Sequence, residues 1–397
     1  MNKKACLIPI LTAMVAACSG SLAPAEPDPV PAVYSLGFEA GKPRILVAGS
    51  EIDLVVRNSG PVAEDLTVSL TVPENDGEYL NLFNTKYDAV AKAAPQSIWS
   101  CESAVMKKGE STVTLTLKAD LARIKAENSS AAFVLPVTLS TDGNIASHDV
   151  RYLVFPTYTT SDAGHPVVHL THKDAWMEVW HADGDNDKAC VFCPGGGYSS
   201  LSGQGTTTEP GVFEGHGMTC AYLHYTLPLD PIRGRYDLPT QDAEDAVDIL
   251  RANASQWGGY TKVGTCGRSA GGHLAGATAA YHKDKVDFQI LLYPVISMDI
   301  SRSHEGSCYQ FLGDTRPQYL VDAWSLDKLV TKDTPRAFVY YALDDTVVPQ
   351  RYNGEAFCKA MKEAGAECHE ERWMTGGHAT PASVNYPNAM LEWIKTF

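Results

Sequence analysis

The chain has 397 residues, 44% of them hydrophobic and 20% charged, with a formal net charge of −15. This length is enough for two domains, and the composition is that of an ordinary globular protein rather than a disordered or fibrous one. Such acidity argues against nucleic acid or an anionic membrane surface as the main partner and suits a neutral or weakly charged substrate.

The first residues carry Lys3 and Lys4, then an apolar run from Ala5 to Ala17. That run is shorter than the roughly 20 residues a spanning helix needs, so residues 1–17 are expected to be a secretory signal peptide. Val15-Ala16-Ala17-Cys18 resembles the bacterial lipobox. The resemblance implies acylation at Cys18, membrane attachment through that lipid, and a periplasmic or cell-surface location. Residues 18–31, rich in Pro, Ala and Ser, are expected to form an extended tether.

From residue 32 to 157 short alternating runs dominate, among them Ile52-Asp-Leu-Val-Val56, Leu66-Thr-Val-Ser-Leu-Thr-Val72 and Val113-Thr-Leu-Thr-Leu117. Period-two alternation between Gly, Asn and Asp turns predicts a small all-β sandwich of about seven strands. It resembles, loosely, the sandwich modules ahead of enzymes in secreted glycan-degrading lipoproteins. No catalytic cluster is visible in it, which leaves a spacer role or a protein or glycan partner.

From residue 158 to 397 the pattern becomes strand, loop, helix, repeated, which predicts a mostly parallel sheet covered on both faces by helices. Lys188–Cys193, Thr219–Tyr225, Ile290–Val295, Arg336–Ala342 and Glu371–Met374 read as strands. Apolar residues at 243, 247, 250 and 254 share one helical face, and Pro239-Thr240 suits the start of that helix. The ten cysteines are irregularly spaced and form no disulfide framework, although Cys358 and Cys368 meet if a helix folds back on the next strand. The one C-x-x-C, Cys190 to Cys193, has no second such pair, and H-E-x-x-H is absent, so neither a metal site nor a cofactor is expected. The abrupt change of pattern predicts that the two parts are energetically separable, so that a chain beginning near Ala163 keeps its chemistry.

That chemistry centres on Gly267-Arg-Ser269-Ala-Gly271, a G-x-S-x-G between a short strand and an Ala/Gly-rich helix. A sharp strand-to-helix turn projects one hydroxyl above the sheet, and flanking side chains there would collide with neighbouring backbone. Serine needs a base, usually a histidine oriented by a carboxylate. Asp344-Asp345-Thr-Val-Val-Pro349 and Thr375-Gly-Gly-His378 each follow a later strand, in the order the fold requires, with Asp345 76 residues after Ser269 and His378 33 residues further on. Asp344 and Asp345 compete for the acid role, and the resemblance named below, whose pattern D-x-V-V-P sets the acid four residues before the proline, implies Asp345. His304 and His216 read as surface loop residues, and His273 as a packed one. For the oxyanion, the backbone N–H of Ala270 is expected to act with those of Gly196 and Gly197, in the loop Pro194-Gly-Gly-Gly-Tyr198.

These motifs, together with Tyr225-Thr-Leu-Pro228, Tyr293-Pro-Val-Ile-Ser297 and Leu312-Gly313, resemble small serine esterases of the α/β-hydrolase fold, specifically those acting on acetylated xylan. The resemblance implies removal of acetyl or another small acyl group from an acylated carbohydrate through an acyl-Ser269 intermediate. Pro194, where many relatives have the histidine of H-G-G-G, and Arg268 depart from that pattern and bear on acyl-chain specificity. Two rivals are a serine exopeptidase of the prolyl-oligopeptidase type, for which the 125 or so N-terminal residues are too few, and a non-catalytic glycan-binding module.

Overall fold

The computed structural model describes residues 36–397, apart from residues 40, 143, 146, 148, 183–185, 203–207, 231, 233 and 379–385. The signal segment, Cys18 and the Pro-rich tether lie outside the described residues. Among the described residues no helix is long and apolar enough to cross a membrane.

The N-terminal part holds two sheets. One orders its strands as Leu36–Phe38, Glu51–Asn58, Thr112–Ala119 and Trp99–Cys101. The other runs Arg44–Leu46, Arg151–Phe155, Phe133–Thr141, Leu66–Thr71 and Ala104–Met106, and two short strands also pair with Phe133–Thr141. Strands Leu66–Thr71 and Ala104–Met106 of the second sheet touch Thr112–Ala119 of the first. Leu54, Val56, Leu115 and Leu117 are buried from one sheet, and Val68, Met106, Val137 and Leu139 from the other. In the first sheet the alternation reports one face turned inward, whereas Phe133–Thr141 of the second is buried at every residue. Asn75-Asp-Gly, which reads as a turn, instead opens a helix, Asp76–Lys86, whose Phe83 fills a satellite core with Val134 and Val154.

The remaining strands form one nine-stranded sheet. In chain order they are β1 (Thr157–Thr160), β2 (Pro166–His169), β3 (Trp176–Trp180), β4 (Lys188–Cys193), β5 (Thr219–His224), β6 (Lys262–Arg268), β7 (Phe288–Leu292), β8 (Arg336–Ala342) and β9 (Cys368–Trp373). Their spatial order is β1-β2-β3-β5-β4-β6-β7-β8-β9. The pairs from β1 to β5 are antiparallel, and those from β5 onward are parallel. The intervening helices are α1 (Thr208–Glu214), α2 (Asp237–Ala252), α3 (Ala270–Tyr281), α4 (Glu305–Leu312), α5 (Gln318–Trp324), α6 (Gly354–Ala364) and α7 (Tyr386–Ile394). Helix α2 begins three residues before the expected Thr240. Its Pro239 is accommodated because a first-turn N–H has no intrahelical partner to lose.

Successive residues of the central strands face opposite ways, which assigns the covering layers. Cys266 and Ile290 pack with Phe213 of α1 and Met390 and Trp393 of α7. Thr265, one residue earlier, donates to the Ala275 carbonyl of α3 at 2.9 Å on the other face. The order reverses between β4 and β6, so the loop after β4 and the turn after β6 emerge side by side at the carboxyl end of the sheet. An open α/β sheet places its ligand at such a crevice.

Residues 35–397 form a single compact unit, and polar contacts, some buried and some exposed, join the N-terminal sheets to the large sheet. Arg44, 5% exposed, binds Asp245 of α2 at 2.5 Å and Thr171 at 2.8 Å. Asn253 reaches the Ala48 carbonyl at 3.1 Å, and Lys173 pairs with Asp88 at 3.1 Å. Beside this pair His172 Nδ1 donates to Asp242 at 2.6 Å. Burial works against a charge on His172, but Asp242 and Asp245 outweigh it and hold its pKa above the ordinary value. A cut near Ala163 would remove Arg44 and leave Asp245 buried without its cation. The free separability expected from the change of sequence pattern therefore meets a specific energetic cost.

Candidate active site

The turn after β6 is built as the G-x-S-x-G spacing demands. Ser269 sits at φ 53°, between the strand and α3, with its side chain at the crevice. A Cβ on Gly267 would come within 2.1 Å of the Gly271 carbonyl oxygen, and one on Gly271 within 2.1 Å of the Cys193 carbonyl oxygen. Both lie well inside van der Waals contact, so neither position tolerates a side chain while β4, β6 and α3 stay in place.

Ser269 Oγ lies 2.9 Å from His378 Nε2, and His378 Nδ1 lies 2.8 Å from Asp345 Oδ2. A carboxylate can only accept, so Nδ1 carries the proton and Nε2 is left to accept from the serine hydroxyl. Asp345 is held rigidly: the N–H groups of Val347 and Val348 donate to its Oδ1, each at 2.9 Å, and Gln350 donates to its Oδ2 at 3.1 Å. Burial raises its pKa, but the bonds from His378, Val348 and Gln350 outweigh that and keep it below the ordinary carboxylate value. The Tyr293 ring meets the His378 imidazole edge-on at 5.0 Å. The adjacent Asp344 is turned away and exposed, and accepts from the Gly377 N–H at 2.8 Å, which ties the acid loop to the histidine loop.

The loop after β4 closes over this group. Gly196 and Gly197 have φ of 130° and 65°, conformations that a side chain disfavours. A Cβ on Gly195 would lie 3.3 Å from Ser269 Cβ, so the loop abuts the serine directly. The N–H groups of Gly196, Gly197 and Ala270 have no partner among the described residues. Tyr198, next in the loop, is fully buried. Its hydroxyl donates to His273 Nδ1 at 2.8 Å, while His273 Nε2 donates to the Trp324 carbonyl at 2.8 Å. His273 thus braces the glycine loop from behind, and burial depresses its pKa to about 4.

Arg268 turns away from the serine, pairs with the buried Glu209 of α1 and lies over the Phe192 ring. One of the two departures from the family pattern is thereby satisfied internally. Two residues near this group carry no motif signal. Gln350 orients Asp345, and His304, expected at the surface, lies half-buried against Gly197. Among the described residues no cluster of three His, Cys, Asp or Glu side chains could hold a metal ion. A cavity of about 590 Å³ lined by Tyr236, Tyr281, Tyr319 and Trp324 includes none of Ser269, His378, Asp345 and the glycine loop, so its size does not make it the reaction site.

Residues 216–382 match the family described as alpha/beta hydrolase fold. The chain is 34% identical over 239 residues to an acetylxylan esterase of Xylanibacter ruminicola, an alignment covering 56% of this chain and 48% of that protein. It is 28% identical over 197 residues to endo-1,4-beta-xylanase B of Butyrivibrio fibrisolvens, covering 46% of this chain and 31% of the relative. The chain thus spans about half the length, or less, of these curated relatives. The crystal structure of an acetyl ester-xyloside bifunctional hydrolase from Caldicellulosiruptor lactoaceticus superposes with a TM-score of 0.51 at 24% identity, covering 56% of this chain and 88% of that one. Strand order, matched segment and superposition agree, and the C-terminal part of this chain has the α/β-hydrolase fold.

Proposed function

We propose that this chain is a serine esterase that removes acetyl, or another small acyl group, from hydroxyls of a xylan-like polysaccharide or its oligosaccharides. The observation that carries the proposal is the continuous relay from Ser269 Oγ through His378 to Asp345, flanked by the loop of Gly196 and Gly197, whose N–H groups, like that of Ala270, have no partner among the described residues. Ser269, His378 and Asp345 are the proposed nucleophile, base and orienting acid, and Gly196, Gly197 and Ala270 the proposed oxyanion donors. The acetylated-xylan substrate is supported by the name of the Xylanibacter ruminicola relative and by the esterase motifs.

In this mechanism Ser269 Oγ attacks the ester carbonyl while its proton passes to His378 Nε2. The carbonyl electron pair moves onto oxygen, where the three N–H groups meet the developing charge. Collapse of the tetrahedral species expels the sugar oxygen, which takes the proton back from His378. Water then gives a proton to His378 and attacks the acyl carbon, and release of the acid returns the proton to Ser269. Asp345 stays ionised throughout, holding the ring and stabilising the imidazolium.

Acetate release from acetylated xylan, compared with acetylated pectin and with p-nitrophenyl esters of rising chain length, tests this reading. Turnover should be greatest on acetyl esters of xylan and fall with acyl length, and absence of Ser269-dependent hydrolysis of every ester would sink it. Residues 1–17 as leader, Cys18 as lipid anchor and residues 18–31 as tether, ahead of a sandwich over 32–157 and a catalytic part over 158–397, complete the proposal. Mass spectrometry finding an unacylated Cys18 in the exported protein would refute the anchor.

A further inference from the structure

His304 sits at the start of α4 in a second position that the serine, histidine and aspartate do not explain. Its Nδ1 accepts from the Ser307 N–H at 3.2 Å, with the Ser307 hydroxyl 2.8 Å away, so the imidazole side chain caps the helix. A ring nitrogen that accepts from a backbone N–H carries no proton, which leaves the proton of the neutral imidazole on Nε2. That Nε2–H has no partner among the described residues.

The ring is not adrift on the surface. Its Cε1 lies 3.3 Å from where a Gly197 Cβ would stand and 3.0 Å from where a Gly306 Cβ would stand. Two glycines thus make the space it fills, one of them in the proposed oxyanion loop. Asn353, fully buried, fixes the segment that carries it. Asn353 Oδ1 accepts from the N–H groups of Ile296 and Ser297 at 2.8 and 3.0 Å and from Ser303 Oγ at 3.0 Å. Its Nδ2 donates to the carbonyls of Arg302 at 3.2 Å and Pro349 at 2.9 Å. One amide therefore locks the His304 segment to the loop that presents Asp345. Burial first, and then the nearby His378, depress the His304 pKa below the ordinary value, with Asp345 acting the other way, so the ring is neutral near pH 7.

A half-buried, rigidly held donor beside the reaction centre is suited to an acceptor that arrives with the substrate. We infer that His304 is a specificity-determining residue whose Nε2–H donates to an oxygen of the sugar, a hydroxyl or the ring oxygen, next to the ester that Ser269 attacks. The alcohol half is favoured over the carbonyl oxygen for two reasons. Three backbone N–H groups already serve the carbonyl oxygen, and His304 lies within electrostatic reach of His378, the group that protonates the departing sugar oxygen. This inference rests on the esterase reading above and deepens it.

His304→Asn removes the Nε2–H while keeping a good N-cap, and His304→Ser does the same with a smaller side chain. Both are compared with wild type on acetylated xylo-oligosaccharide and on p-nitrophenyl acetate, which has the same acyl group but no sugar oxygen. The kcat/KM on the oligosaccharide should fall about 10- to 100-fold, as expected for loss of one hydrogen bond to a polar substrate group. That loss should exceed the loss on p-nitrophenyl acetate by at least about tenfold. Equal losses on the two esters, or none on either, would overturn the assignment while leaving the esterase reading intact. Absence of Ser269-dependent hydrolysis in wild type would remove both.

Discussion

In Glu51–Asn58 and Thr112–Ala119 of the N-terminal sheets burial alternates along the strand, whereas Lys188–Cys193 and Phe288–Leu292 of the large sheet are buried at every residue. The pattern has exceptions on both sides, since Phe133–Thr141 is buried throughout and Trp176–Trp180 alternates, and the sharper difference between the interiors is chemical. Among the described residues the N-terminal part buries one charged side chain, Arg44, and that side chain reaches out of its own sheets to Asp245. The large sheet and its helices bury His172, Lys188, Glu209, Asp242, Asp245, His273 and Asp345. A buried ionisable group is costly unless it is paired, and such groups gather where chemistry or a tight junction repays the desolvation. One part of the molecule is built for packing, and the other accepts strain and buried charge to hold a reactive group.

The largest expected effect lies wholly on the second side of this comparison. Ser269→Ala should lower kcat on acetyl esters by about 10⁴-fold or more while circular dichroism and Tm stay near wild type. Asp345→Asn should cost about 10³- to 10⁴-fold, by analogy with the loss when the orienting acid favours the wrong tautomer. Asp344→Asn, at a carboxylate that accepts from the Gly377 N–H rather than from His378, should cost far less. Comparable losses at the two aspartates would show that the two loops have been assigned the wrong acid.

The junction is the next place to break the comparison. Arg44→Met should destabilise the fold by about 3–5 kcal/mol in urea unfolding, because it leaves the Asp245 carboxylate buried without its cation. Adding Asp245→Leu should recover most of that loss, since a matched apolar pair needs no compensation. If Arg44→Met costs less than about 1 kcal/mol, the N-terminal sheets are held to the large sheet by something else.

A smaller effect concerns His273, which burial keeps neutral in the folded state, with a pKa of about 4 against 6.5 for an ordinary histidine. As pH falls below 6.5 the unfolded chain takes up a proton that the folded chain refuses. Stability present above pH 6.5 is therefore lost progressively as pH falls towards 4, by up to about 3 kcal/mol at about 1.4 kcal/mol per unit. His273→Gln should flatten the Tm-against-pH curve over that window, and an unchanged slope would show that another group governs acid stability there.

How much was legible follows from what each feature needs. The large sheet, the turn at Ser269 and the loops at Asp345 and His378 each leave a local mark: a continuous apolar run, two obligatory glycines, or a polar residue just past a strand. The helix Asp76–Lys86 leaves little, because only Phe83 is fully buried and its opening Asn-Asp-Gly has turn chemistry. His304 and Gln350 escape for another reason. His304 meets Gly197, more than a hundred residues away, and no spacing encodes that meeting, while Gln350 lies five residues after Asp345 but belongs to no motif that marks its amide as the partner. Arg44 is the plainest case: one arginine at the start of a three-residue strand looks like surface until Asp245 is found opposite it.

The backbone at Ser269 has a further consequence. A non-glycine residue at φ 53° and ψ −120° occupies a region that glycine enters freely and other residues enter only under constraint. The serine is held there by β4, β6 and α3, at an expense of order 1–3 kcal/mol to the fold as a whole. Ser269→Gly, inert as a catalyst, should therefore be the more stable protein. Reactivity and robustness pull in opposite directions at this one residue. On the esterase reading, the fold gives up stability at one residue so that its proposed nucleophile stands above the sheet.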